Sequence, residues 1–198
     1  MADPTSEQPG RVRVRIDGKA PRRGSRHDSQ APVNLEPEPP AECDCPRLDP
    51  EEWNEVENDW SDITFLKTTT TALLGVPMGY DSTRKEVAAK ANAIGATIPE
   101  DGMLLLGSGR FRRPLLLEVE DAPEHGKGIE RPGGIAFTML VEAPWGQIQG
   151  KVEETRRAAT ERYGRGPDNV WVWYLTCREC SHERNFETLI VAHYRHPR

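Results

Sequence analysis

The chain has 198 residues, of which 36% are hydrophobic and 29% charged, with a formal net charge of −6. That length can bury one good core with residues to spare, and the composition is that of a soluble protein with many exposed positions. No apolar run approaches the roughly 20 residues needed to span a bilayer, and "MADPTSEQPGRVRVR" has no apolar stretch after its charges. The sequence therefore predicts a cytoplasmic protein with neither a secretory signal nor membrane insertion.

The net charge conceals a separation. Residues 1–30 sum to +3, residues 31–62 to −10, and the remainder is close to neutral at +1. Residues 1–42 combine Pro, Gly and charge with few large apolar side chains, the composition of an arm rather than a core. Within it "RVRVRI" (11–16) alternates Arg with Val or Ile, a strand pattern that needs a sheet edge to pair with, in this chain or a partner's. Residues 43–198 read as a single domain.

"LDPEEWNEVENDWSD" (48–62) predicts a short helix. Asp49 stands as cap, Pro50 at the first helical position, and Trp53, Val56 and Trp60 on one apolar stripe. Residues 63–79 are rich in β-branched residues and predict a strand followed by a loop. "DSTRKEVAAKANAIG" (81–95) predicts a helix stopped by Gly95. Two strands are expected over 103–120, another over 133–144, and a second long helix over 146–166, stopped by Gly164 and Gly166. "NVWVWYLTC" and "ETLIVAHYR" complete the pattern as a C-terminal hairpin. Large residues on both faces of "VWVWY" suit a central strand covered on both sides, or one with a face kept for a partner. The order of elements indicates an α+β fold, with a mixed or mostly antiparallel sheet covered by helices.

All four cysteines fall into two close pairs, Cys43/Cys45 in "CDC" and Cys177/Cys180 in "CREC". In a reducing compartment such pairs more often hold a metal than form structural disulfides. A CxxC at the tip of a hairpin directs two sulfurs at one ion, and "CDCP" about 130 residues upstream supplies the other two. The expected site is a four-thiolate Zn2+ centre that anchors the arm's end to the final hairpin. Iron or a [2Fe–2S] cluster fits the same ligands. A redox dithiol fits less well, because no helix starts after "CREC". His182, in "CSH", is a substitute ligand, although an exposed turn histidine is the plainer reading. His193, in "VAHYRH", suits a core position.

"GSGRFRRP" (107–114) places Ser108 beside Arg110, Arg112 and Arg113 and could receive an anion, though it matches neither the P-loop nor the dinucleotide pattern. A hairpin turn with exposed arginines is the plainer reading. The acids between Glu51 and Asp62 read as a solvated face. The near-neutral body and the acidic 31–62 segment argue against nucleic acid as a partner.

These residues indicate a zinc-stapled accessory or interaction protein, a subunit of a larger assembly, whose charged arm contacts a protein partner. Two other functions compete. One is a hydrolase-type enzyme in which Arg110, Arg112 or Arg113 converges on a carboxylate or His125 near Ser108. The other is an iron–sulfur or dithiol redox protein.

Overall fold

The computed structural model describes residues 45–73, 76–77, 80–177 and 179–195. The expected arm (1–42), its strand at 11–16 and Cys43 lie outside the described residues.

Helix α1 (Pro50–Trp53) begins as the sequence indicates: the Asp49 side chain accepts a hydrogen bond from the Glu51 amide at 2.9 Å, with Pro50 in the first turn. It ends after four residues, well short of the helix expected over 48–62. Asn54 is extended, Glu55 takes a left-handed φ of 59°, and the chain continues as strand β1 (Val56–Asp59). The cause is tertiary pairing. The Glu55 amide donates to Thr138 O at 2.8 Å, and Asn54 Oδ1 accepts from the Leu140 amide at 3.2 Å. These bonds draw the acid-rich segment along a sheet edge, where a ladder outweighs the weak helix preference of an uncompensated run of carboxylates. Trp53 and Trp60, placed on one helical stripe by the sequence, are both buried from opposite ends of this strand.

The remaining strands are β2 (Phe65–Leu73), β3 (Val76–Pro77), β4 (Leu104–Leu106), β5 (Arg112–Glu118), β6 (Ile129–Glu130), β7 (Ile135–Glu142), β8 (Asn169–Tyr174) and β9 (Glu187–Tyr194). With β1 they form one curled sheet in the order β1-β7-β9-β8-β4-β5-β2-β3, with β6 also on β2. The pairings among the described strands are antiparallel. The fold is thus α+β, with the antiparallel form of the expected sheet. The pair expected over 103–120 is present as β4 and β5, joined through the Gly/Arg segment.

Two helices match the sequence reading, α2 (Tyr80–Ala93) and α3 (Ile148–Tyr163), the latter preceded by a 3-10 turn at Trp145–Gln147. Gly164 caps α3 in the left-handed region with φ 68°, and its amide donates to Thr160 O, the conformation that favours glycine at a helix end.

Side-chain alternation along β8 and β9 divides the core. Trp171, Trp173, Leu189 and Val191 join Trp53, Trp60, Leu105, Leu116 and Val87 in the main cluster inside the curl. On the opposite face Ala192 and Tyr194 pack with Phe137 and Ala159 of α3, while Val172 packs with Ile148. Strand β8 is therefore central and covered on both sides. Gly134, at φ 79°, is tied to Trp60, whose amide donates to its carbonyl at 2.8 Å. A Cβ built on Gly134 would stand 2.0 Å from Tyr194 O, so the backbone of β9 requires glycine here.

The β8–β9 hairpin exists, but a tight CxxC tip does not. The described residues 175–177 and 179–186 belong to a long connection, in which Cys177 is the third position of twelve and Cys180 the sixth.

Candidate functional site

The long connection gathers three of the four cysteines. The sulfurs of Cys45, Cys177 and Cys180 all lie within 4.8 Å of one another, with Cys177 Sγ and Cys180 Sγ 3.5 Å apart. A tetrahedral zinc ion with metal–sulfur bonds near 2.3 Å holds its sulfurs about 3.8 Å apart, so the spacing suits a shared ion. Backbone donors reinforce this. The Cys177 amide donates to Cys45 Sγ at 3.1 Å, and the Cys180 and Glu179 amides donate to Cys177 Sγ. Amide donors lower the cost of negative charge on sulfur, the form a metal binds. Burial, followed by the hydrogen bond to Glu179, pushes the Cys177 thiol up to about 11, and the Cys180 amide opposes this. Three cysteines that can hold a metal are thus together. Cys43 lies outside the described residues.

The segment before α1 is held against the connection by a residue the sequence reading overlooked. Arg184 donates through Nη2 to Pro46 O at 2.7 Å, through Nη1 to Leu175 O at 3.3 Å, and through Nε to Glu187 Oε2 at 3.0 Å. Nη2 also pairs with the Glu187 carboxylate, and the Arg184 side chain is only 9% exposed. One guanidinium therefore joins the backbone next to Cys45 to both ends of the connection, the bridging geometry its fixed fork allows. In sequence it is one arginine in "SHERN", with nothing to mark it.

The turn after Arg184 is strained. Asn185 and Phe186 take consecutive left-handed φ values of 47° and 58°, unusual for residues other than glycine and costly for a bulky one. The Phe186 amide donates to Ser181 O at 2.7 Å, and Asn185 Nδ2 donates to Glu142 at 3.0 Å. This geometry sets the Phe186 ring against His182, with centroids 5.0 Å apart.

Cys45, Cys177, Ser181, His182 and Phe186 form one wall of a cavity of about 490 Å³, within the size range of small-molecule sites. The other walls come from Trp173 to Thr176 at the end of β8, from Ala143 and Trp145 before α3, from Arg84 and Ala88 of α2, and from the turn Ile98–Gly102, which carries Glu100 and Asp101. Ser181 is buried and His182 exposed. The cavity thus combines a hydroxyl, an imidazole, two carboxylates and an apolar aromatic flank beside the thiols.

The Gly/Arg segment has a different arrangement from that expected. Arg110, on the β4–β5 connection, and Arg112, the first residue of β5, are exposed, with Arg110 over the Phe111 ring. Arg113 turns inward, where its Nε donates to Gly107 O at 2.6 Å and its guanidinium bonds the Tyr174 side chain. Ser108 borders a separate cavity of about 210 Å³ lined also by Arg156, Asp168 and Asn169, not by the three arginines. His125 is exposed on the loop between β5 and β6. His193 is buried, stacks on Trp60 at 4.8 Å and pairs through Nε2 with Gly133 O at 2.7 Å, a core position as expected.

These features define a class: a helix-backed, curled antiparallel sheet with a small-molecule cavity and a thiol cluster in the cavity wall. A family model described as bacterial hydrolase matches residues 36–193. The chain belongs to that family. Among curated proteins, none matches the chain. No helix among the described residues is long and apolar enough to cross a membrane.

Proposed function

We propose that the protein is a hydrolase whose reaction takes place in the 490 Å³ cavity, with one zinc ion on Cys43, Cys45, Cys177 and Cys180 building the wall behind it. The carrying observation is that two of the three clustered cysteines, Cys45 and Cys177, are on the lining of the cavity itself. Family membership favours hydrolysis over the accessory-protein reading. When bound, zinc on four thiolates supplies structure, fixing the Cys45 segment and the connection to each other; with one ligand fewer it supplies Lewis acidity to the cavity. His182 is assigned as the general base, because it lines the cavity and an imidazole there can take a proton from an attacking water. Glu100 and Asp101, across the cavity, are placed to orient the substrate.

The test pairs metal content with hydrolysis of a panel of ester, amide, glycoside and phosphoester substrates. We expect one zinc per chain, loss of zinc and activity together in Cys177→Ser, and loss of activity with zinc retained in His182→Gln. Retention of activity in both variants would overturn the reading. The cavity beside Ser108, with Arg156 and Asp168 on its lining, would then be the next place to look.

A further inference from the structure

The clustered sulfurs come from two parts of the chain that only folding brings together. Cys177 and Cys180 share the connection after β8, whereas Cys45 is 132 positions before Cys177, on the segment that leads into α1. An ion that had to order that segment itself would bind less tightly. Whatever fixes Cys45 beside the other two sulfurs therefore contributes to metal affinity without touching the metal.

One residue is bonded beside all three cysteines. The Arg184 amide donates to Cys180 O at 3.1 Å. Its Nη2 donates at 2.7 Å to the carbonyl of Pro46, the residue after Cys45. Its Nη1 donates at 3.3 Å to the carbonyl of Leu175, two residues before Cys177. Glu187 accepts from Nε at 3.0 Å and so fixes the plane in which the fork lies. The arginine side chain is only 9% exposed, so water is a poor replacement donor for these carbonyls. A guanidinium stays protonated and has no lone pair for a metal. Its bonds act instead on the backbone at or within two residues of each cysteine.

We propose that Arg184, oriented by Glu187, is a positioning residue for the metal centre: it sets the zinc affinity of the cluster by holding Cys45 in register with Cys177 and Cys180. This rests on the reading of the cluster as a metal site, and not on the reaction assigned to the cavity. Two features separate the role from a general contribution to stability. The Pro46 bond acts on the Cys45 side, while Cys177 and Cys180 keep the tie of their shared connection, so its loss releases one sulfur selectively. The role also requires the planar fork, so a lysine that keeps the charge does not restore it.

The experiment measures zinc affinity of the reduced full chain by competition with a chromophoric chelator, for wild type, Arg184→Lys, Arg184→Ala and Glu187→Gln. It is done at a temperature where circular dichroism shows each chain folded; should Arg184→Ala not fold, the other two variants carry the test. Wild type binds zinc, both arginine variants bind it at least about tenfold more weakly, the size of lost support around a metal ligand, and Glu187→Gln falls between. The second readout is alkylation of the zinc-free thiols by iodoacetamide, located by peptide mass spectrometry. In Arg184→Lys, Cys45 gains reactivity relative to Cys177 and Cys180. A smaller loss of affinity in folded Arg184→Lys, or equal acceleration of all three thiols, overturns the proposal. Zinc binding in wild type that the variants match leaves the metal site standing and removes the role of Arg184. A wild type that binds no zinc removes both.

Discussion

Arg184 shows how much can depend on one side chain that no motif announces. Its guanidinium satisfies the carbonyls of Pro46 and Leu175 and the carboxylate of Glu187 at once. Removing it leaves buried acceptors without a donor, and hydrogen bonds to a charged group contribute more than neutral ones. Arg184→Ala should lower unfolding free energy by about 2 kcal/mol in urea titration. Arg184→Lys should recover little, because a single ammonium cannot reproduce the fork; full recovery by lysine would mean that charge alone matters. His193 makes a different kind of contribution. Burial holds its imidazole below the usual range, partly offset by the Gly133 carbonyl. The unfolded chain therefore takes up the proton first as pH falls, so the native state loses stability over the window below about pH 6.5, at no more than about 1.4 kcal/mol per pH unit. Melting temperature against pH should slope downward across that window in wild type and flatten there in His193→Gln. An unchanged slope would assign the effect to other groups.

At the scale of elements, the sequence was most legible where local signals and the final fold agree. The Ala-rich stretch before Gly95 and the run before Gly164 carry both propensity and stop signals, and both are helices. The alternation in "VWVWY" states its burial directly, because β8 has neighbours on both edges and layers on both faces. The 48–62 segment misled because its cap is real but its continuation is decided elsewhere. Thr138, 82 residues beyond Val56, receives that strand through its backbone and through an Oγ1 hydrogen bond to Val56 O at 3.1 Å. No local propensity encodes a partner so distant. Gly134 belongs to this scale too, since it lets β7 start against the end of β9. Gly134→Ala meets both a left-handed φ and a carbonyl 2.0 Å away, and should cost at least about 2 kcal/mol. Chemical denaturation reads this directly, and a loss under 0.5 kcal/mol, the size of an ordinary surface change, would mean that β7 can move away.

At the scale of the molecule, half of the candidate site could be read from the chain and half could not. Paired cysteines announce themselves because few other arrangements use thiols in that spacing, and three of the four meet. The cavity beside them could not be foreseen. It draws on α2, the turn around Glu100, the end of β8 and the approach to α3, which only the finished curl brings together. Ser108 and the arginines looked functional because glycine and charge are conspicuous in a sequence. Arg113, however, is engaged by Gly107 and Tyr174.

The union of Cys45 with Cys177 has a kinetic consequence. The two residues are 132 positions apart, and the sheet between them closes through pairings such as β1 with β7 that are themselves remote in sequence. Loops of that length close slowly, and folds dominated by such contacts form on the millisecond-to-second scale rather than in microseconds. The sulfurs cannot meet until that closure is complete. The cluster is therefore among the last features to assemble, and an ion captured there marks chains that have already finished folding.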